Sequence, residues 1–215
     1  MDKILIVKIG GKLINDSHVL HRFLKSFAKI KTKKILIHGG GNQVTKMCKK
    51  LNLDIKIRNG RRITSIQDLE VATMIYAGSL NKTLVTKLQS FNCNSIGLSG
   101  ADANLIESVK RPVKEIDYGL VGDIKKINSI FLKNLIDENL TPVICSITHD
   151  KNGQLLNTNA DTISSEIAIS LSKYYIVNLI YCHEKNGVLS NPNDDNSTFG
   201  PVSYTHLRAH ETSLH

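Results

Sequence analysis

The sequence predicts an α/β fold, a three-layer αβα sandwich around a mainly parallel open sheet. Three observations predict it. Short apolar runs of strand length alternate with stretches of helical spacing along the chain. The strand runs are nearly continuous in Ile, Leu and Val, as in "KILIVKI" and "KILIH", the signature of strands covered on both faces. Two of these runs end in glycine clusters, "VKIGGKLI" and "IHGGGNQV", each followed by a helical pattern. In such sheets, ligands collect beyond the carboxyl ends of the strands.

Taken in order, residues 3 to 9 read as the first strand. Residues 17 to 30 read as a helix, with Val19, Leu20, Phe23, Leu24 and Phe27 at helical spacing behind a Ser17 cap. A second strand spans 34 to 38 and a helix 42 to 53. The segment "IKIRNGRRIT" reads as a hairpin turning at Asn59-Gly60, and 66 to 90 as one long helix. "NSIGLSG" is a further apolar strand, and 104 to 127 carries edge strands or hairpins. A helix at 129 to 139, a strand at 142 to 147, a helix at 160 to 172 and a strand at 174 to 182 follow.

Composition narrows the function classes. The 215 residues suffice for one large domain or two small ones, and no apolar run approaches the roughly 20 residues that cross a bilayer. The first apolar run follows Met1-Asp2-Lys3 directly, without the pattern of a secretory signal. Cys48, Cys93, Cys145 and Cys182 are scattered without a CxxC pair, which fits free thiols in a reducing cytoplasm. The net charge of +9 suits nucleic acid or anionic small molecules, and equally suits solvated lysines in "KIKTKK" and "CKK". Nucleic acid is not expected, because aromatic residues make up only 5% and no RNA- or DNA-binding motif is visible.

The last fourteen residues, "VSYTHLRAHETSLH", lack core periodicity and hold three of the eight histidines. They resemble the in-frame translation of a sequencing-library adapter, so 202 to 215 is read as a non-native tail and left out of the fold.

Candidate chemistry sits at the strand ends. A lysine at the end of a buried strand is unfavourable unless it is paired or faces a ligand, which singles out Lys8. Gly10-Gly11 and Gly39-Gly40-Gly41 remove side chains where two parallel strands end, making a floor on which backbone N–H groups can meet an anion. A tight turn with a snorkelling lysine is the plain alternative. Neither loop has the spacing of a Walker A or dinucleotide motif. In "LLNTNAD", Asn157 and Asn159 precede a helix at whose start Asp161 is either an N-cap or the carboxylate partner of Lys8.

Together, "VKIGGKLI", "IHGGGNQV", "NGRRIT" and "LLNTNAD", in this order and spacing, resemble the amino acid kinase family, in its branch that phosphorylates acylated glutamate. The resemblance spans residues 3 to about 200. It implies a kinase domain over 1–201, with an acylglutamate-binding half at 1–172 and the start of a nucleotide-binding half at 173–201. The implied reaction is ATP-dependent phosphorylation of the side-chain carboxylate of N-acetyl-L-glutamate to an acyl phosphate, in arginine biosynthesis. N-succinylglutamate as substrate, or a non-catalytic acylglutamate-binding module, are the alternatives.

By the same resemblance, Lys8 stabilises the transferring phosphoryl group, Gly10 and Gly11 face phosphate, and Gly40 and Gly41 approach the acylated amino acid. Arg62 clamps the α-carboxylate, a task suited to its planar fork, whereas Arg61 reads equally as a solvated hairpin charge. Asn157, with Asn159 beside it, contacts the substrate, and Asp161 organises the active-site lysines. Mg2+ comes with the nucleotide and no metal site of the chain itself is implied. His38 is expected to be a hydrogen-bonded structural histidine. A homodimer built around helix 66 to 90 is expected, without an arginine-sensing ring. "HEKNGVLSNPND" aligns with the start of the adenine and ribose site, where contacts from Glu184 or Lys185 are open. The family's second catalytic lysine has no counterpart, so the chain as it stands is expected to be C-terminally truncated, to leave a sheet edge exposed and to be inactive or nearly so.

Overall fold

The alternation of Ile4 and Ile6 with Leu5, Val7 and Ile9 sends side chains to both faces of the first strand, so this strand can be stable only inside a sheet. The computed structural model describes residues 1–58 and 60–182, and places that strand, β1 (Lys3–Ile9), between two parallel neighbours. The main sheet has the order β11 (Ile176–Cys182), β1, β2 (Lys33–His38), β8 (Thr141–Cys145) and β5 (Ser95–Leu98), and every pairing in it is parallel. The expected α/β class is therefore observed.

Helices cover both faces. On one side Ile4, Ile6, Ile35, Ile37 and Ile144 pack against Leu132 and Ile136 of α6 (Ser129–Asp137) and Ile163, Ile167 and Leu171 of α7 (Ala160–Leu171). On the other, Val7, Ile9, Leu36 and Val143 meet Leu20, Leu24 and Phe27 of α2 (Ser17–Lys29) and Leu84 and Leu88 of α5 (Asn81–Ser90). A short α1 (Gly11–Asn15) follows β1. A third cluster joins Val44 and Cys48 of α3 (Gly41–Lys50) to Leu69 and Ala72 of α4 (Ile66–Thr73).

Several expectations need correction. The cap of α2 is Asp16, whose carboxylate accepts from the N–H groups of His18 (2.9 Å) and Val19 (3.0 Å), rather than Ser17. Both residues are cap formers, and an ionised carboxylate is the stronger acceptor for backbone N–H groups. Val19 is exposed and takes no part in the core. Residues 66 to 90 do run as continuous helix, but Met74–Leu80 is a π-helical segment between α4 and α5.

Beyond β8 the chain does not end its strand at one element. β9 (Ile147–His149) and β10 (Leu155–Asn157) join β6 (Ile106–Lys110) and β7 (Gly122–Ile127) in a second sheet of order β10-β9-β6-β7. There β9 and β10, and β6 and β7, pair antiparallel, while β6 and β9 pair parallel. Strands of three residues give no periodic signal to read. The hairpin is present as β3 (Ile57–Arg58) and β4 (Arg61–Arg62). Asn59, the segment 183–194 with Glu184 and Lys185, and residues 202–215 lie outside the described residues. On β11, Ile176 is 50% and Ile180 46% exposed.

Not all lysines of "KIKTKK" are solvated. Lys34 is buried, and its ammonium donates to the carbonyls of Phe27 (2.9 Å), Ala28 (2.9 Å) and Ile30 (2.6 Å), closing the C-terminal end of α2. A cation there satisfies orphan carbonyls and complements the helix dipole. Lys33, its neighbour, turns the other way and meets Asp137 at 2.8 Å.

Asp137 ties the amino end of β2 to α6 and to Tyr175, whose hydroxyl donates to it at 2.9 Å. Hydrogen bonds from Lys133, Lys33 and Tyr175 hold its carboxyl well below the usual carboxylate range. A depressed folded-state value means the stabilisation is complete above the unfolded-state value of about 3.9 and is lost as pH falls below it. Asp137→Asn is thus expected to lower the melting temperature most near neutral pH, with the gap to wild type closing as the pH is lowered below about 4. A gap that is constant with pH in thermal melts would contradict this reading.

Candidate active site

At the carboxyl end of β1, the Lys8 side chain is only 12% exposed and its ammonium lies 2.8 Å from Asp161 Oδ1. Asp161 can serve it because it is not the cap of α7. Asn159 is, accepting from the N–H groups of Asp161 (2.6 Å) and Thr162 (3.2 Å). The expected choice between cap and ion-pair partner is decided by which residue stands first, and the amide two positions earlier leaves the Asp161 carboxylate free. A Cβ on Gly10 would stand 3.3 Å from the Lys8 ammonium, so glycine there lets the cation lie against the backbone.

β2 ends beside β1, with Ile9 opposite His38 and the Gly39 N–H donating to the Ile9 carbonyl at 3.2 Å. His38 is fully buried. Its Nδ1 lies 2.9 Å from the Gly39 carbonyl and its Nε2 3.1 Å from Asn81 Nδ2. A carbonyl can only accept, so Nδ1 carries the proton and Nε2 receives one from Asn81. Burial pushes the imidazole down to about 4, so it is neutral and structural, as expected. Asn81 also donates to the Val143 carbonyl at 2.9 Å, and Ser146 Oγ to the His38 carbonyl at 3.0 Å. These bonds fix the base of the glycine floor.

Gly40 has φ +147°, and a Cβ there would lie 2.7 Å from Leu80 and 3.1 Å from the Tyr76 ring. Glycine is required there by its backbone conformation and by close packing from the π-helical segment. α3 then starts at Gly41 with Gly40 as its cap and no side-chain cap bond, so its first N–H groups face the space over the floor.

Arg62 comes from the hairpin and is held from below. Its side chain is 8% exposed, with Nη2 donating to Thr45 Oγ1 (2.6 Å) and Nη1 3.4 Å from Asp68 Oδ1. Asp68 is itself locked in a capping box, its Oδ2 accepting from Ser65 N (3.2 Å) and Ser65 Oγ (2.7 Å) while its own N–H donates to Ser65 Oγ (3.1 Å). Asn157 donates to Thr64 Oγ1 at 3.1 Å.

All nine residues singled out from sequence, Lys8, Gly10, Gly11, Gly40, Gly41, Arg62, Asn157, Asn159 and Asp161, line one cavity of about 360 Å³. Arg61, which the sequence leaves open between the site and a solvated hairpin charge, lines it too. Sequence reasoning missed Thr45, Asp68, Tyr76 and Asn81. Of these only Asp68 had a signal, the Ser65-x-x-Asp68 spacing of a capping box. The lining carries three cations against the single carboxylate of Asp161, a field suited to anions.

The family model described as the amino acid kinase family matches residues 3–214. The chain belongs to the amino acid kinase family. An acetylglutamate kinase of Parabacteroides distasonis is 48% identical over 202 residues, which is 94% of this chain and 79% of that protein. One of Cytophaga hutchinsonii is 47% identical over 213 residues, 97% of this chain and 81% of that protein. The fold is also that of the N-acetylglutamate synthase of Neisseria gonorrhoeae solved with coenzyme A and N-acetyl-glutamate (TM-score 0.76, 18% identity, 96% of this chain and 46% of that one). Among the described residues of this family member, no group of three or more His, Cys, Asp or Glu side chains is gathered to hold a metal ion, and no helix is long and apolar enough to cross a membrane.

Gly40→Ala should destabilise the chain by about 1–3 kcal/mol, from overpacking against Leu80 and Tyr76 and the unfavourable φ. A urea midpoint equal to that of wild type would show that the floor can give.

Proposed function

We propose that the cavity binds N-acetyl-L-glutamate and ATP, and that the chain's chemistry is phosphorylation of the amino acid's side-chain carboxylate to an acyl phosphate, a step of arginine biosynthesis. The relatives at 47–48% identity carry the name acetylglutamate kinase. The observation that carries the reading is the Lys8–Asp161 pair facing the same cavity as Arg62.

The residues account for the reaction without a general base. A side-chain carboxylate, at about 4.3 unperturbed, is already ionised at neutral pH and needs no proton removed before it attacks. His38, neutral and enclosed, is not called on. What the site must do is bring two anions together and stabilise charge on the phosphoryl oxygens, which is positioning and electrostatics. Lys8 supplies the positive charge and Asp161 keeps it aimed. Gly10 and Gly11 open the backbone to phosphate, and Gly40 and Gly41 do so for the amino acid. Arg62, preset by Thr45 and Asp68, takes the α-carboxylate, with Asn157 and Asn159 at the same wall. ATP supplies the phosphoryl group, and Mg2+ arrives with it, held mostly by the phosphates.

The four free cysteines support a reducing, cytoplasmic setting for this chemistry. The helical stretch from Ile66 exposes Ile66 (70%) and Met74 (63%), eight residues apart and so on one face, which supports a homodimer through that surface.

Calorimetry on the 215-residue chain tests the substrate reading without requiring turnover. N-acetyl-L-glutamate is expected to bind the wild type, and Arg62→Met to weaken it at least about tenfold through loss of charge-assisted hydrogen bonds. Absence of binding by the wild type sinks the reading. For the assembly, sedimentation should give a dimer that Met74→Asp converts to monomer, and a wild-type monomer at high micromolar concentration rejects it.

A further inference from the structure

Tyr76 has no part in the reaction proposed for the cavity, yet it is built into the cavity wall. The side chain is buried and lines the cavity. Its oxygen is not among the fully enclosed unpartnered polar atoms of the described residues, so the phenol's polar end opens on that cavity while its ring is packed in the wall. The hydroxyl makes no hydrogen bond with any described residue.

Its position follows from the π-helical segment. The Asn81 N–H bonds to the Tyr76 carbonyl five residues earlier, the repeat of a π-turn. In an α-helix, residues five apart point about 140° away from each other. Here both face the end of β2, Asn81 reaching His38 and Tyr76 reaching the glycine floor. π-Turns are often found at functional sites, and this one lets a single helix both anchor the floor and present a phenol above it.

On α3, Gly41 and Thr45 are one turn apart on the same face. The Tyr76 hydroxyl lies 3.8 Å from where a Gly41 Cβ would be, and Arg62 Nη2 donates to Thr45. Two donors, one phenolic and one cationic, therefore stand side by side along that helix face. Burial pushes the phenol up to about 12 although the Arg62 charge opposes the rise, so it remains a proton donor at any physiological pH.

We infer that Tyr76 is a substrate-binding residue whose hydroxyl donates to the same carboxylate that Arg62 holds. This rests on the substrate reading proposed above. It makes the α-carboxylate a two-sided contact, with a fork on one side and a phenol on the other.

The test uses Tyr76→Phe, which keeps the ring against Gly40 and removes only the oxygen. N-acetyl-L-glutamate and 4-acetamidobutanoate, which lacks the α-carboxylate, are titrated into wild type and variant by NMR, with melting temperatures measured alongside. The variant is expected to bind N-acetyl-L-glutamate about tenfold more weakly, as for loss of a hydrogen bond to a charged group, and 4-acetamidobutanoate as the wild type does. An unchanged melting temperature accompanies this result. Equal N-acetyl-L-glutamate affinities in the two proteins overturn the inference and leave the substrate reading standing. An equal loss for both ligands also overturns it, because Tyr76 would then act through packing. A wild type that binds no N-acetyl-L-glutamate rejects the substrate reading and the inference with it.

Discussion

The ion pair between Lys8 and Asp161 is the contact on which the site depends. It joins the first strand to a helix more than 150 positions later, at the edge of the sheet where both elements open on the cavity. A lysine this far out of water needs a counter-charge, and a carboxylate this close to a helix start needs to be spared capping. Asn159 meets the second need and so makes the first possible. Both side chains line the cavity and the Asp161 carboxylate stays half open to solvent, so the pair is a cation held at a surface rather than a sealed structural bridge.

The rest of the site shows the same division between groups that face the cavity and groups that hold them. Arg62 is set by Thr45 and by an aspartate locked in its own capping box. The glycine floor is set by His38, Asn81 and Ser146, which bond across β2, β8 and α5. Support of this kind fixes direction as well as position, and positioning is what a reaction between two anions requires.

Much of this was legible in the sequence, and the parts that were not share a physical cause. The parallel strands could be read because continuous Ile, Leu and Val runs have few other uses in a chain of this size. The glycine clusters and "LLNTNAD" marked strand ends and a helix start, which is why nine residues far apart in sequence could be assigned to one place. Errors arose where neighbouring residues had the same chemistry. Asp16 and Ser17 can both cap, and one residue of offset decides which does; Asn159 and Asp161, two residues apart, left the same choice open. The π-helical segment could not be read because a one-residue insertion into a helix leaves the apolar pattern almost intact. Asn81 and Thr45 could not be read because their partners, His38 and Arg62, are tertiary neighbours.

The burial of Lys34 has a consequence for how β2 tolerates change. Its ammonium is moored to three carbonyls at the end of α2, and four residues later His38 is moored through Gly39, Asn81 and Ser146. The strand is a cord of fixed length tied at both ends. Shifting it by one residue would pull both knots loose and turn the intervening side chains to the opposite faces. Exchanges among Ile35, Leu36 and Ile37 for residues of like volume leave the knots tied, whereas an insertion or deletion between them does not.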